Sequence, residues 1–236
     1  MAAAARYAFA AVLIALGVVG VWRGDFVPPW EPVAADAPAR DALVFATAVL
    51  TSACGVGLLF ERVARWAARL LFAALAIWLV AFRIRHLVDA PAKFDSWDGC
   101  AELSTVIAAA FALSFSDRGA RFAHALLGVC LVCFGIGHFA YPDETASLVP
   151  SYLPLPDFLA FATGITFMMA AAFQLTGIAA RATAYLAAAQ IAGFTILVWI
   201  PIVVAGGAAA FAWSELGLSA LLATATAVVA AFGPTS

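Results

Sequence analysis

The sequence predicts an all-α integral membrane protein with eight transmembrane helices, arranged as two parallel four-helix-bundle repeats. Three observations carry this expectation. Of 236 residues, 66% are hydrophobic and 11% charged, whereas soluble domains carry about 25% charged residues. That much apolar surface cannot be hidden in a core of this size, so lipid must be part of the solvent. Apolar stretches long enough to cross a hydrocarbon layer of about 30 Å, roughly 20 helical residues each, occur repeatedly along the chain. Finally, the chain echoes itself: Asp41-Ala42-Leu43-Val44-Phe45-Ala46-Thr47 returns 116 positions later as Asp157-Phe158-Leu159-Ala160-Phe161-Ala162-Thr163.

The expected spans are 6–22, 41–60, 66–88, 99–116, 121–141, 157–178, 181–204 and 211–232. The first could pass for a signal peptide, but Ala5-Arg6-Tyr7-Ala8 matches Ala120-Arg121-Phe122-Ala123, which argues that it is retained as a helix. The second and sixth spans carry the echo itself. The third and seventh follow the matched Ala64-Arg65 and Ala180-Arg181, and the fourth and eighth lie at the matched Trp97 and Trp213. Helices satisfy their own backbone polar groups in lipid, and the alternation that a barrel strand needs is not visible. The repeat therefore divides the chain into 1–117 and 118–236. Between the first and second span of each half lies a proline-rich connection that cannot continue a helix. Phe26-Val27-Pro28-Pro29-Trp30-Glu31-Pro32 matches Leu148-Val149-Pro150-Ser151-Tyr152-Leu153-Pro154, pairing Trp30 with Tyr152. Such a segment reads as a re-entrant or interfacial piece, or as a plain lid on the bundle.

Orientation follows from the cationic residues that flank the spans. Arg6, Arg62, Arg65, Arg69, Arg118, Arg121 and Arg181 fall on one side, and most acidic residues fall on the other. Both termini are thus expected in the cytoplasm, with the two halves oriented alike rather than inverted. A net charge of −2 gives no basic stripe for nucleic acid, so the lipid bilayer is the expected partner. The single lysine, Lys93, falls in a loop, which excludes a retinal Schiff base. The mid-span spacing Cys130-Leu131-Val132-Cys133 reads as apolar packing in preference to a redox pair.

Ionisable groups inside spans are costly and mark candidate sites. Arg83, Arg85 and His86 end the third span, Glu102 begins the fourth, His138 ends the fifth and Glu215 begins the eighth. All fall at one depth. His138, in Gly135-Ile136-Gly137-His138-Phe139, is a candidate to bond a ligand carbonyl or move a proton; the alternative is a satisfied interfacial histidine. Glu102 and Glu215 are candidates for proton exchange, or else first-turn acids favoured by the helix dipole. Their spacing to Trp97 and Trp213 differs by three residues, so either the tryptophans or the glutamates superpose. Arg83 and His86 would stabilise an anionic form of the ligand, whereas Arg85 reads as snorkelling. Gln190 reads as a helix–helix hydrogen bond.

The second half resembles the DoxX-like membrane proteins. The resemblance rests on Gly135-Ile136-Gly137-His138-Phe139, Leu148-Val149-Pro150-Ser151-Tyr152-Leu153-Pro154, Ala162-Thr163-Gly164, Ala179-Ala180-Arg181, Trp199-Ile200-Pro201 and Trp213-Ser214-Glu215. The first half looks like a diverged member that keeps the proline loop, Arg65, Ala90-Pro91, Trp97 and Glu102. The resemblance implies a four-helix unit and a link to membrane redox chemistry. Two positions depart from the pattern: Ile165-Thr166 stands where relatives often have an acid, and Trp199-Ile200 where a histidine often precedes the proline. His86 is the candidate replacement.

The functional expectation is a bacterial inner-membrane subunit that binds a quinone or similar lipophile and works with a membrane redox partner protein. His138, Glu102 and Glu215 would carry the chemistry. Arg83, His86, Trp97, Trp213 and Tyr152 would hold the ligand. A non-enzymatic scaffold and a small-molecule transporter stand as alternatives.

Overall fold

The computed structural model describes residues 1–31, 33–34, 36–115, 117–206 and 210–232, without the side chains of 117–118. Pro32 of the first proline loop and the Arg118 side chain therefore lie outside the described residues. The described residues form an all-α protein with no strand. Eight helices are long and apolar enough to cross a membrane, so the chain is a multi-pass integral membrane protein.

All eight expected spans are present. They are α1 (Ala2–Arg23), α2 (Arg40–Leu59), α3 (Glu61–Asp89), α4 (Phe94–Phe115), α5 (Asp117–Ala140), α7 (Pro156–Thr176), α8 (Ala180–Val204) and α9 (Ala210–Ala231), with the short α6 (Pro142–Ser147) between α5 and α7. Each described span begins one to five residues before its expected start, because first turns admit polar residues that the apolar pattern leaves out. Glu61 and Arg62 open α3, for example, although neither is apolar.

The internal echo extends into the backbone. Helix α4 starts at Phe94, 116 positions before Ala210, the first described residue of α9. Both third helices of the repeat contain a single π-helical turn, Leu79–Arg83 in α3 and Thr195–Trp199 in α8, again 116 apart. Ala39 and Leu155, which precede α2 and α7, share a left-handed backbone with φ 55° and 54°. The offset of 116 aligns Trp97 with Trp213, so the tryptophans superpose and the glutamates do not. Glu215 falls opposite Gly99, and Glu102 opposite Leu218.

The proline loops register one residue away from the sequence match. The Trp30 N–H donates to the Val27 carbonyl at 2.9 Å, and the Leu153 N–H to the Pro150 carbonyl at 2.8 Å. These turns pair Trp30 with Leu153 and leave Tyr152 opposite Pro29.

Within the first half α1 packs on α2, α2 on α3 and α3 on α4; within the second, α5 packs on α7, α7 on α8 and α8 on α9. The halves are joined by α1 against α9, α4 against α5, and α4 against α9. The last helix of each half thus lies against the first helix of the other. Burial agrees, since 67% of the α4 span and 50% of the α9 span are buried, against 39% or less for the rest. Close helix approach is made by small residues, as expected where lipid supplies no hydrophobic drive between helices. At the α5–α7 crossing, a Cβ on Gly164 would stand 2.9 Å from the His138 Cβ, and one on Gly135 would stand 3.1 Å from the Gly164 carbonyl.

Candidate functional site

The two halves differ in what fills them. In the first, Trp30 is fully buried and its indole Nε1–H donates to Thr51 Oγ1 at 2.8 Å. Trp78 packs edge-on against Trp30 at 5.2 Å and stacks on Phe82 at 4.1 Å, and its Nε1–H donates to the Trp30 carbonyl at 3.2 Å. Phe26 completes the cluster, 5.7 Å from Trp78. These rings close the interior.

In the second half the corresponding positions hold smaller or differently placed groups. Leu153 stands for Trp30, Phe194 for Trp78 and Val198 for Phe82. A cavity of about 500 Å³ results, walled by α5, α7, α8, α9 and the start of α4, and roofed by residues 148–153. Its walls are mainly apolar and aromatic, including Phe134, Phe167, Phe194, Leu197 and Trp199. Asp95, Asp98, Glu102, His138, Gln190 and Glu215 add the polar groups. An apolar pocket with a few convergent polar groups is the usual form of a ligand site.

His138 is held in place by several contacts. Its Nδ1 lies 2.9 Å from the Phe134 carbonyl one turn back, and its ring lies 5.5 Å from Phe167 and 6.1 Å from Phe194. Gly164 lets α7 approach close behind it. Glu102 comes from the first half and Glu215 from the second; both reach the cavity because α4 and α9 cross at its floor.

Three of the eight candidate residues, His138, Glu102 and Glu215, are thus brought to one cavity. Arg83 does not line it. Its guanidinium lies against Gly99 of α4, three residues before Glu102, where any Cβ would collide with it. His86 is exposed near the end of α3 and does not line the cavity. Trp97, Trp213 and Tyr152 are 50%, 52% and 65% exposed and point away from the wall. The Trp97 indole bonds the Pro91 carbonyl at 3.0 Å, which fastens the α3–α4 turn.

Other participants were not signalled by sequence. Asp95 and Asp98 looked like loop-side charges, yet both line the cavity because α4 begins at Phe94. Gln190 does bridge helices, accepting from Thr166 Oγ1 at 2.6 Å and donating to the Thr163 carbonyl at 3.3 Å, and it also lines the cavity. Glu31, from the first half's loop, accepts a 2.5 Å hydrogen bond from Ser214, the neighbour of Glu215. Burial holds the Glu31 carboxyl above its ordinary range, against the lowering effect of that bond. His124 sits buried at the arginine-rich end of the bundle, its Nδ1 2.5 Å from Gln174 Oε1. Gln174 in turn donates to the Ala180 carbonyl and to Thr183 Oγ1 at 2.7 and 2.8 Å. This cluster ties α5, α7 and α8 together at the end opposite the cavity.

The fold and the cavity define a polytopic all-α membrane protein with a partly open, mainly apolar cavity walled mostly by its second half. No protein-family model, no curated protein and no solved structure matches the chain.

Proposed function

We propose that the chain is a DoxX-like protein of the bacterial inner membrane, with both termini in the cytoplasm. It holds a lipophilic ligand of the quinone class in the second-half cavity and serves as the ligand-binding subunit of a membrane redox system. The observation that carries this reading is the cavity itself, with aromatic walls, His138 packed against Phe167 and Phe194, and Glu102 and Glu215 in the same lining. The flat aromatic surfaces suit a planar headgroup and the apolar remainder suits a chain.

The test is extraction. Protein purified in mild detergent is expected to retain a quinone, identified by mass spectrometry of the solvent extract. Protein carrying no lipophile, and indifferent to added quinone, would sink the reading.

A further inference from the structure

We infer that the cavity recognises its ligand through a hydroxyl that the ligand donates, so that it takes the reduced, quinol form in preference to the quinone. This rests on the reading of the cavity as a lipophile site. A backbone carbonyl can only accept, so the 2.9 Å contact between His138 Nδ1 and the Phe134 carbonyl places the ring proton on Nδ1. In the uncharged ring, Nε2 then carries the lone pair, and no hydrogen bond joins it to a described residue. Phe167 and Phe194 pack against the imidazole in a triangle of rings 5.5–6.2 Å apart and hold its orientation, so a headgroup in the cavity that reaches Nε2 meets an acceptor.

Three hydroxyls of the wall reinforce this, because their donors are turned into the protein. Thr163 Oγ1 donates to the Leu159 carbonyl at 2.8 Å and Thr145 Oγ1 to the Tyr141 carbonyl at 2.8 Å. Ser219 Oγ is shared with Thr195 Oγ1 at 2.8 Å. Carboxyl groups at Glu102 and Glu215 accept in either protonation state but donate in only one. At His138 a ligand hydroxyl is therefore matched whatever their state, whereas a ligand carbonyl must instead reach the Trp199 indole, the Tyr141 hydroxyl or a protonated carboxyl.

The experiment uses the full chain in detergent under anaerobic conditions, titrated calorimetrically with a decyl-substituted benzoquinol and, separately, with its quinone. The quinol is expected to bind about tenfold more tightly, the worth of one hydrogen bond of about 1.4 kcal/mol. His138→Phe, which keeps a ring and removes the acceptor, should bring the two affinities together. Trp22→Phe, at an exposed ring of α1 outside the cavity, should leave the quinol preference standing. Equal affinities in the unaltered protein, or a preference for the quinone, overturn the inference while leaving the cavity as a lipophile site. Binding of neither form overturns the underlying reading as well. The wild-type comparison decides the matter even if His138→Phe does not fold.

Discussion

Leu153 and Trp30 occupy the same turn in the two halves, and the difference between them decides whether a half is hollow. Leu153→Trp is accordingly expected to fill much of the second-half cavity. Solvent extracts of that variant, analysed by mass spectrometry beside the unaltered protein, should lose the retained lipophile while the helical circular dichroism stays the same. The converse change, Trp30→Leu, opens a void where no polar group waits and strips the Thr51 hydroxyl of its indole partner. It should destabilise the protein by about 2–4 kcal/mol, read as a lower midpoint in denaturant. Glu31 gives a pH prediction with a definite sign. Its folded-state carboxyl is held above the ordinary 4.5, by burial first and by Asp25 further, with Ser214, Arg23 and Arg83 opposing. The folded state thus keeps the proton longer than the unfolded chain. Glu31 costs nothing below the unfolded value, and its cost grows as pH rises from about 4.5 through the folded value. Glu31→Gln should therefore raise thermal stability more at pH 8 than at pH 4, and an equal shift at both would refute the assignment. These side chains were only partly legible. His138, Glu102 and Glu215 stood out as charge in an apolar run, whereas Leu153 carries no signal of its own. Its importance comes from a turn that slides one residue against the Pro28-Pro29-Trp30 and Pro150-Ser151-Tyr152 match, where an aromatic-for-aromatic pairing misled the register.

Helices were the most legible elements, since a chain in lipid must satisfy every backbone polar group within the segment and apolar length then sets the span. The π-helical turns were not. Thr195–Trp199 stands just before Pro201, whose missing N–H loosens the ladder, but Leu79–Arg83 has Arg85 at the matching place and no such mark. Only the offset of 116 would have led from one to the other. The turn matters because Leu197, Val198 and Trp199 meet the cavity from it, in keeping with the frequent placing of such turns at functional sites. The left-handed residues before α2 and α7 were equally silent, since neither Ala39 nor Leu155 is a glycine. Leu155 is 68% exposed, so its side chain offers little in exchange for the strained backbone, which costs of order 1 kcal/mol. Leu155→Gly is expected to leave ligand retention intact and to raise the detergent melting temperature slightly; a clear fall would show that the leucine has a packing role.

At the scale of the molecule, the division at 117 and 118 is a division of sequence more than of packing. Helix α1 rests on α9 and α5 rests on α4, so each half leaves an uncovered face when taken alone. Residues 1–117 and 118–236, made as separate chains in the same cell, should therefore co-purify as a complex from detergent extracts. If each is recovered alone as a stable, ligand-competent monomer, the α1–α9 and α4–α5 contacts are dispensable. The sequence could show that there were two copies, but not that their last helices would cross between them. That arrangement depends on which small residues face which helix, and an alanine-rich chain presents such faces on every side.

The filled first half has a consequence for how this protein can change. Whether a half is sealed or open is set by the bulk of two or three side chains, not by the fold that carries them. A lineage holding this architecture could exchange the roles of its halves, or open both, through substitutions at positions such as Trp30, Trp78, Leu153 and Phe194. The sealed copy meanwhile supplies the rigidity that lets its twin drift toward new ligands.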